Sequence, residues 1–448
     1  SLPRASPPAP VLLVPSTDTA AYAASLPQLA VPSVVAGSYV AVPLGAKYEK
    51  PATPSTALSE LPDGTFAVHA DAEKVVTAFG AVIGASLSAA KPQFAKALEL
   101  NSPGLDGEGL AELYFEGIRT VLGCAKSCRV NARYRDGMLD LFATLQVKPG
   151  SDMDDWSSAP LNTALAGPPT GKGTLEFLMA ADWQKLWPRV TALIDRFAEV
   201  YPKETGDVLR RLGADYAPLY AALGPCLALE GDVFAADAMS MTLGVSATDA
   251  TALRKEVDAL LGKEHFAKVG ITIAEPRTTE TAGATITDRQ LAIDFGKLAS
   301  ALNLTLTGMG GISSEQLLQV VFGGPRIPLR VATKSDRGVF VLGKQQDAAI
   351  FAALDGKARS WSKPVQDALA RVADCNPLLV ERIDAVAVMA AFARVARQLD
   401  ETLPIPELPA GASGNFVVSG GIRGAEWRAG IAFDFAGLVK FLKPLAPR

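Results

Sequence analysis

Eight times along this chain a short apolar run ends in an aspartate and passes into a helical pattern, four times in each half. The aspartates are Asp18, Asp71, Asp182 and Asp249, then Asp294, Asp347, Asp384 and Asp434. An aspartate there is a physical device. Its carboxylate accepts the first free N–H groups of a helix and complements the positive helix end. Capping alone accounts for some recurrence; a duplicated chain accounts for the order as well. Asp18 and Asp71 are 53 residues apart, as are Asp294 and Asp347, so one offset of 276 relates both pairs. The same order pairs Asp182 with Asp384 and Asp249 with Asp434. Asp71 to Asp182 spans 111 residues, against 37 from Asp347 to Asp384, which places an insertion near residues 105–150. Ser88-Ala89-Ala90-Lys91-Pro92-Gln93 echoes Ser360-Trp361-Ser362-Lys363-Pro364-Val365-Gln366.

The unit around Asp182 shows the grammar. Thr174 to Met179 reads as a strand, and Leu186, Trp187, Val190, Leu193 and Ile194 then recur at helical spacing. Helices are expected at Ala72–Ile83, Thr251–Leu261, Phe295–Leu302, Ala348–Leu354, Ala385–Leu399 and from Phe435. Between them the chain alternates as hairpins. Arg129–Arg135 and Met138–Val147 flank Asp136-Gly137, a strong turn dipeptide. Ile327–Thr333 and Gly338–Leu342 flank Ser335-Asp336-Arg337, and Asn415–Ser419 and Trp427–Phe433 flank a glycine-rich turn. Strand, strand, helix in repetition implies an α+β fold, with antiparallel sheets carrying helices on one face, in two pseudo-repeated halves.

The expected organisation is a Pro-rich leader over 1–10, a first α+β domain over 11–265 and a shorter second one over 285–448. The polar stretch Glu275–Thr281 reads as a loop in the break. Hydrophobic residues make up 49% and aromatics 7%, so Ala, Val and Leu must do most of the packing. Net charge is −4 with no basic block, which excludes a duplex-binding surface. No apolar run reaches the roughly 18 residues of a spanning helix. The leader, without an initiator Met, fits a mature chain after signal cleavage, or equally a chain trimmed at that point.

Several motifs invite chemistry and fail its requirements. Gly167 to Thr174 approaches a phosphate-binding loop, yet its first interval is one residue short, Gly173 replaces the Mg²⁺-binding hydroxyl, and a strand follows where a helix must. Ser88-Ala89-Ala90-Lys91 matches a Ser-x-x-Lys, but neither Ser-Asp-Asn nor Lys-Thr-Gly occurs. Asp152, Asp154 and Asp155 lack the alternation and closing Glu of a Ca²⁺ loop and read as a helix-initiating loop. His69 and His265 are the only histidines, and with Cys124, Cys128, Cys226 and Cys375 they form no zinc spacing. Cys124 and Cys128 fall one turn apart on an expected helix; the four cysteines read as small buried hydrophobes or one optional disulfide. No catalytic, cofactor-binding or metal residue is assigned. The helix from Phe435, with Lys440 and Lys443, reads as core-facing, with a membrane-surface role as the alternative.

The strand-Asp-helix grammar, the Asp-Gly hairpin, and the lead-ins Leu61-Pro62-Asp63-Gly64 and Leu408-Pro409-Ala410-Gly411 resemble a loose class of uncharacterised exported bacterial proteins, lipoprotein-like or secreted. That resemblance implies a periplasmic or cell-surface location and no catalytic residues. The functional expectation is a non-catalytic exported scaffold or binding protein, with a protein partner or self-assembly and no nucleic acid. Mean hydropathy of +0.20 keeps open a carrier of an apolar molecule or lipid, and a peripheral or lipid-tethered membrane association. A hydrolase using carboxylates that only folding pairs is the third reading.

Overall fold

The computed structural model describes residues 11–15, 20, 21, 24, 34–36, 39–43, 66–101, 106–135, 137–157, 173–201, 203–232, 239–301, 313–344, 347–357, 360–399 and 414–442. The Pro-rich leader, Asp18 and Gly167–Lys172 lie outside them. Two compact units form, one of residues 1–158 with 422–433, the other of 159–421 with 434–448. These are not the sequence halves 11–265 and 285–448.

In the first unit β1 (Val11–Pro15), β2 (Val34–Ala36) and β3 (Tyr39–Pro43) make a small antiparallel sheet in the order β1-β3-β2. Then come β4 (Phe66–Asp71), α1 (Ala72–Asn101), α2 (Gly107–Cys124), β5 (Ala125–Arg135) and β6 (Met138–Val147). The β5–β6 turn uses Gly137 at φ 82°, where a glycine meets no Cβ penalty.

The second unit holds β7 (Leu175–Ala180), α3 (Trp183–Val200), α4 (Lys203–Ala222), β8 (Leu223–Asp232), β9 (Ser240–Ala247) and α5 (Ala250–Leu261). After α6 (His265–Lys268), β10 (Ile271–Ile273) and β11 (Arg277–Thr281) comes β12 (Ala284–Ile293). It continues with α7 (Phe295–Ala301), α8 (Ser314–Phe322), β13 (Ile327–Lys334), β14 (Arg337–Gly343), α9 (Asp347–Leu354) and α10 (Lys363–Val372). It closes with β15 (Leu378–Asp384), α11 (Ala385–Leu399) and β16 (Asn415–Arg423). The last strand, β17 (Glu426–Asp434), belongs to the first unit beside β6, and α12 (Phe435–Leu442) to the second.

The fold is α+β with a large antiparallel sheet. Strand order in the second unit is β10-β12-β13-β14-β9-β8-β7-β15-β16, with β11 also on β12; in the first it is β17-β6-β5-β4. Around β13 and β14 helices cover both faces. Val331 packs with Leu253 and Val257 of α5, while its neighbour Ala332 packs with Ile350 and Leu354 of α9. Consecutive strand residues point to opposite faces, so two apolar neighbours need two covering helices.

The order of elements can be written as two runs, and the 276-residue offset does not pair like positions in them. One run is β4, two helices, hairpin β5–β6, β7, two helices, hairpin β8–β9, α5. The other is β12, two helices, hairpin β13–β14, two helices, β15, α11, β16, β17, α12. Asp71 and Asp294 each stand ahead of two helices and a hairpin, whereas Asp347 follows a hairpin, and residues 125–147 form the hairpin β5–β6. Strands of the two runs lie side by side: β9 of the first pairs β14 of the second, and β17 of the second lies beside β6 of the first. This placement of β17 explains why residues 422–433 fall in the first unit.

Other expectations shift for local reasons. Helix α1 runs 30 residues, past Ile83 and through Pro92. Segment 277–281 is a strand, not a loop; all its side chains are exposed, so no alternation marks it, yet its backbone pairs with β12. Cys124 ends α2 and Cys128 lies in β5; all four cysteines are free thiols. In α12, Phe435 and Val439 are exposed rather than core-facing.

Six of the repeated aspartates accept a backbone N–H from the first helical turn. The donors are Lys74 to Asp71, Lys185 to Asp182, Thr251 to Asp249, Lys297 to Asp294, Ala387 to Asp384 and Gly437 to Asp434. Asp347 instead begins α9 and pairs with Arg330. Asp182→Ala is expected to lower unfolding free energy by about 1 kcal/mol in urea titration, the usual cost of a lost N-cap. A change below about 0.3 kcal/mol would show that this cap is not stabilising.

Candidate functional site

Two features of the fold are candidates for function: a row of polar residues across the second unit, and an uncharged helical belt on the first.

The row follows from register. Antiparallel pairing sets Arg277 against Asp288, Asp288 against Arg330, Arg330 against Val341 and Val341 against Thr242. It continues from Thr242 to Glu230, Glu230 to Glu176, Glu176 to Arg382 and Arg382 to Val417. Directly opposed residues share a face, so this is one transverse line over nine strands. Glu176 and Glu230 are each only 2% exposed. Buried carboxylates of that kind persist only when paired and hydrogen-bonded.

Glu176 is satisfied from three directions. Its Oε1 accepts the Ser362 N–H at 3.1 Å; its Oε2 accepts from the Ser362 hydroxyl and from Arg382 Nη1 at 2.8 Å. Arg382 also donates to the Gly173 carbonyl at 3.0 Å and to Asn415 Oδ1 at 2.7 Å. The Gly173 N–H donates to Glu230 Oε1 at 2.5 Å. At the other end Arg330 grips Asp288 through Nε at 2.7 Å and Nη2 at 3.1 Å, and pairs with Asp347. Those carboxylates, Asp288 first, hold its guanidinium above its ordinary pKa. Beside Glu230, burial and then the Glu230 charge push the Asp232 carboxyl up, against a smaller opposing pull from Arg394. The network ties the start of α10 to β7 and β15. Ser362 stands against a carboxylate whose oxygen also serves Arg382, so the pair anchors backbone rather than offering a free base.

The sequence motifs resolve into structure. Gly173 of the incomplete phosphate loop gives its N–H to Glu230, which puts an anion where a phosphate would sit, and β7 follows it. Ser88 and Lys91 lie inside α1, and Lys91 pairs with Glu112 of α2 at 2.5 Å. Ser360–Pro364 instead precedes and opens α10, so the two stretches are not equivalent. Asp154 begins a short 3-10 turn over Asp154–Ser157, and its carboxylate accepts the Gly150 N–H at 2.8 Å. His69 lies on β4 and His265 starts α6. Burial raises the Cys128 thiol pKa, which disfavours the reactive thiolate. Among the described residues no group of three His, Cys, Asp or Glu is placed to hold a metal. Glu176, Glu230 and Arg382 went unassigned in the sequence. Their one signal was a charged residue at the inward position of an apolar strand.

The second candidate is α1. Between Lys74 and Lys91 lie 16 residues without a charge, Val75 to Ala90, and none of them is buried. Val82 is 62% exposed. By length and composition alone α1 is long and apolar enough to cross a membrane, while its uncharged run of 16 residues stays below the roughly 18 of an uninterrupted span. Thr77, Ser86, Ser88 and the glycines interrupt the apolar run without adding charge. The far half of α1 packs on α2, where Leu87, Phe94 and Ala95 meet Ala111, Phe115 and Ile118, and a half-buried stripe of Val76, Phe79, Ile83 and Leu87 runs along one side of the helix, which also meets β4 and β5. In the same unit Leu145 and Trp427 pack on Cys124, Val147 and Met153. On that sheet face, by alternation, Leu139, Leu141 and Ile431 stand exposed.

Arg382→Met would strand the Glu176 charge; about 3–5 kcal/mol of stability is expected to be lost, and less in the double variant Glu176→Met, Arg382→Met. Chemical denaturation of the set checks this, and equal losses in single and double variants would contradict it. For Asp232 the folded carboxyl holds its proton more tightly than the unfolded one, whose ordinary pKa is 3.8. Stability therefore falls as pH rises from 3.8 through the raised value and stays lower above it. Asp232→Asn should raise the melting temperature at neutral pH and lose that advantage on acidification.

No family model matches this sequence, and no curated protein matches it. Solved structures that resemble it are crystal forms of TP0453. Crystal form IV is 9% identical at a TM-score of 0.27, covering 60% of this chain and 78% of that one. Crystal form III is 10% identical at 0.28, covering 64% of this chain and 99% of that one.

Proposed function

We propose that this chain is a non-catalytic binding protein of the cell envelope that engages its partner through the first unit. The observation that carries the reading is the uncharged, unburied belt Val75–Ala90 on α1. Among the described residues nothing fully buries that belt: Val76, Phe79, Ile83 and Leu87 are half-buried along one side, while Val75 and Val82 stand exposed on the other, and exposed apolar patches mark interaction sites. The polar row supports the non-catalytic side of the proposal, because its members serve one another. The envelope location rests on the resemblance to exported bacterial proteins, and fractionation of the source cells checks it.

The carrier reading has its own support in the exposed face of Leu139, Leu141 and Ile431. An apolar molecule laid on that sheet would cover it.

Native mass spectrometry of the protein from its own source separates the readings. A partner-bound or assembled species that Val82→Glu removes is expected. A bound lipid that Val82→Glu leaves in place and Leu141→Glu removes would favour the carrier. Turnover of a substrate unaffected by either change would overturn both.

A further inference from the structure

We infer that the α1–α2 hairpin carries a hinge: its packed tip swings on the sheet about a zone formed by Gly80 and Gly84 of α1 and Gly117 and Gly123 of α2. The hinge lies in the belt that the binding reading assigns to the partner, and its part in binding rests on that reading.

Packing fixes the hairpin at both ends. At the tip, Ala95 of α1 is buried with Ala111 and Phe115 of α2, and Lys91 Nζ reaches Glu112 Oε2 at 2.5 Å. At the base, the helices spring from paired strands, β4 running into α1 and α2 into β5. Ala72, Cys124 and Ala125 are buried there, and Lys148 Nζ donates to the Gly123 carbonyl at 2.9 Å while pairing with Glu73 Oε1 at 3.7 Å. Between the two ends no residue is buried, neither from Glu73 to Phe94 of α1 nor from Glu116 to Gly123 of α2. Even the stripe of Val76, Phe79 and Ile83 is only half-buried. The loose stretches lie at one level, because the helices share a base and a tip. Segments with few buried contacts open at low cost.

The glycines of this zone serve no close approach. A Cβ on Gly107, at the tip, would lie 2.4 Å from the Ala95 carbonyl oxygen, so packing demands glycine there. On Gly84, Gly117 and Gly123 a Cβ would meet nothing within 4 Å, and on Gly80 the nearest atom is Val76 Cγ1 at 3.7 Å, an ordinary contact. None of the four has a positive φ. Alanine therefore fits at each, and glycine weakens a helix interior relative to alanine. Other residues act in the same direction. Pro92 has no N–H to give the Ser88 carbonyl one turn back. Thr77 turns its hydroxyl onto the Glu73 carbonyl at 2.7 Å, a contact that bends helices. The stretch Val75–Ala90 has no charge with which to form a stabilising ion pair along the helix. Prolines and glycine or serine positions are where helices kink, and a hinge needs only a few residues to absorb the change.

Hydrogen–deuterium exchange of the full chain, read by mass spectrometry, tests this. Peptides within 76–90 and 116–123 are expected to exchange faster than those within 94–99 and 107–115. Gly80→Ala with Gly84→Ala should slow exchange in 76–90 about tenfold or more, the scale of two helix-interior glycines. It should also slow 116–123, which carries no substitution, because the two stretches open together. Gly213→Ala in α4 of the other unit, where a Cβ also has room, should alter neither. Equal exchange along the wild-type hairpin overturns the hinge. Slowing confined to α1 overturns it as well, since each helix then opens alone. Native mass spectrometry of the same double variant reads the tie to binding: the partner-bound species is expected to diminish, and an unchanged species overturns the hinge's part in binding. If exchange behaves as expected while Val82→Glu leaves that species intact, the binding reading falls and the hinge stands.

Discussion

The Glu176–Arg382 pair is the interaction on which the order of the second unit depends. It joins β7 to β15, which adjoin although some 200 residues separate them in the chain. Around it the same transverse line brings Glu230, Thr242, Arg330 and Asp288 into register. A slip of one residue at any step would move a charged side chain to the opposite face. Apolar strands rich in Leu, Val and Ala tolerate many registers, because one such residue packs nearly as well as another. Two almost inaccessible carboxylates tolerate few. The cost of burying them is offset only where Ser362, Gly173 and Arg382 arrive together.

That row also orders the covering layer. Ser362 stands immediately before α10, and its N–H and hydroxyl both reach Glu176, so the helix start is set by a strand side chain. Asp347 plays a comparable part for α9, reaching Arg330 instead of capping its own helix. Among the described residues of the first unit no comparable layer lies over α1. The unit's helices meet through a small cluster around Ala111 and Phe115, and its sheet packs tightly at one end around Val147.

Each run contributes a trio of strands to the other's trio, through β9 on β14 and through β17 by β6. A chain built this way cannot be cut at 265–285 into two independent pieces, because β17 closes a sheet that β4, β5 and β6 begin.

What the sequence determined by itself is local. Asp182 and Asp384 announce the helices they cap because a cap needs only the neighbouring residues. The Asp136-Gly137 turn announces its hairpin for the same reason. The α+β class followed from those pieces in order. The tertiary structure decided what depends on partners distant in the chain. Strand 277–281 has no apolar side to declare it and exists because β12 supplies hydrogen bonds. That Asp347 follows a hairpin while Asp71 and Asp294 precede one emerged from the order of strands, since spacing cannot see which hairpin an aspartate follows. Glu176, Glu230 and Arg382 became one network only by pairing across strands, and the belt on α1 became a surface only because no other part of the described fold buries it.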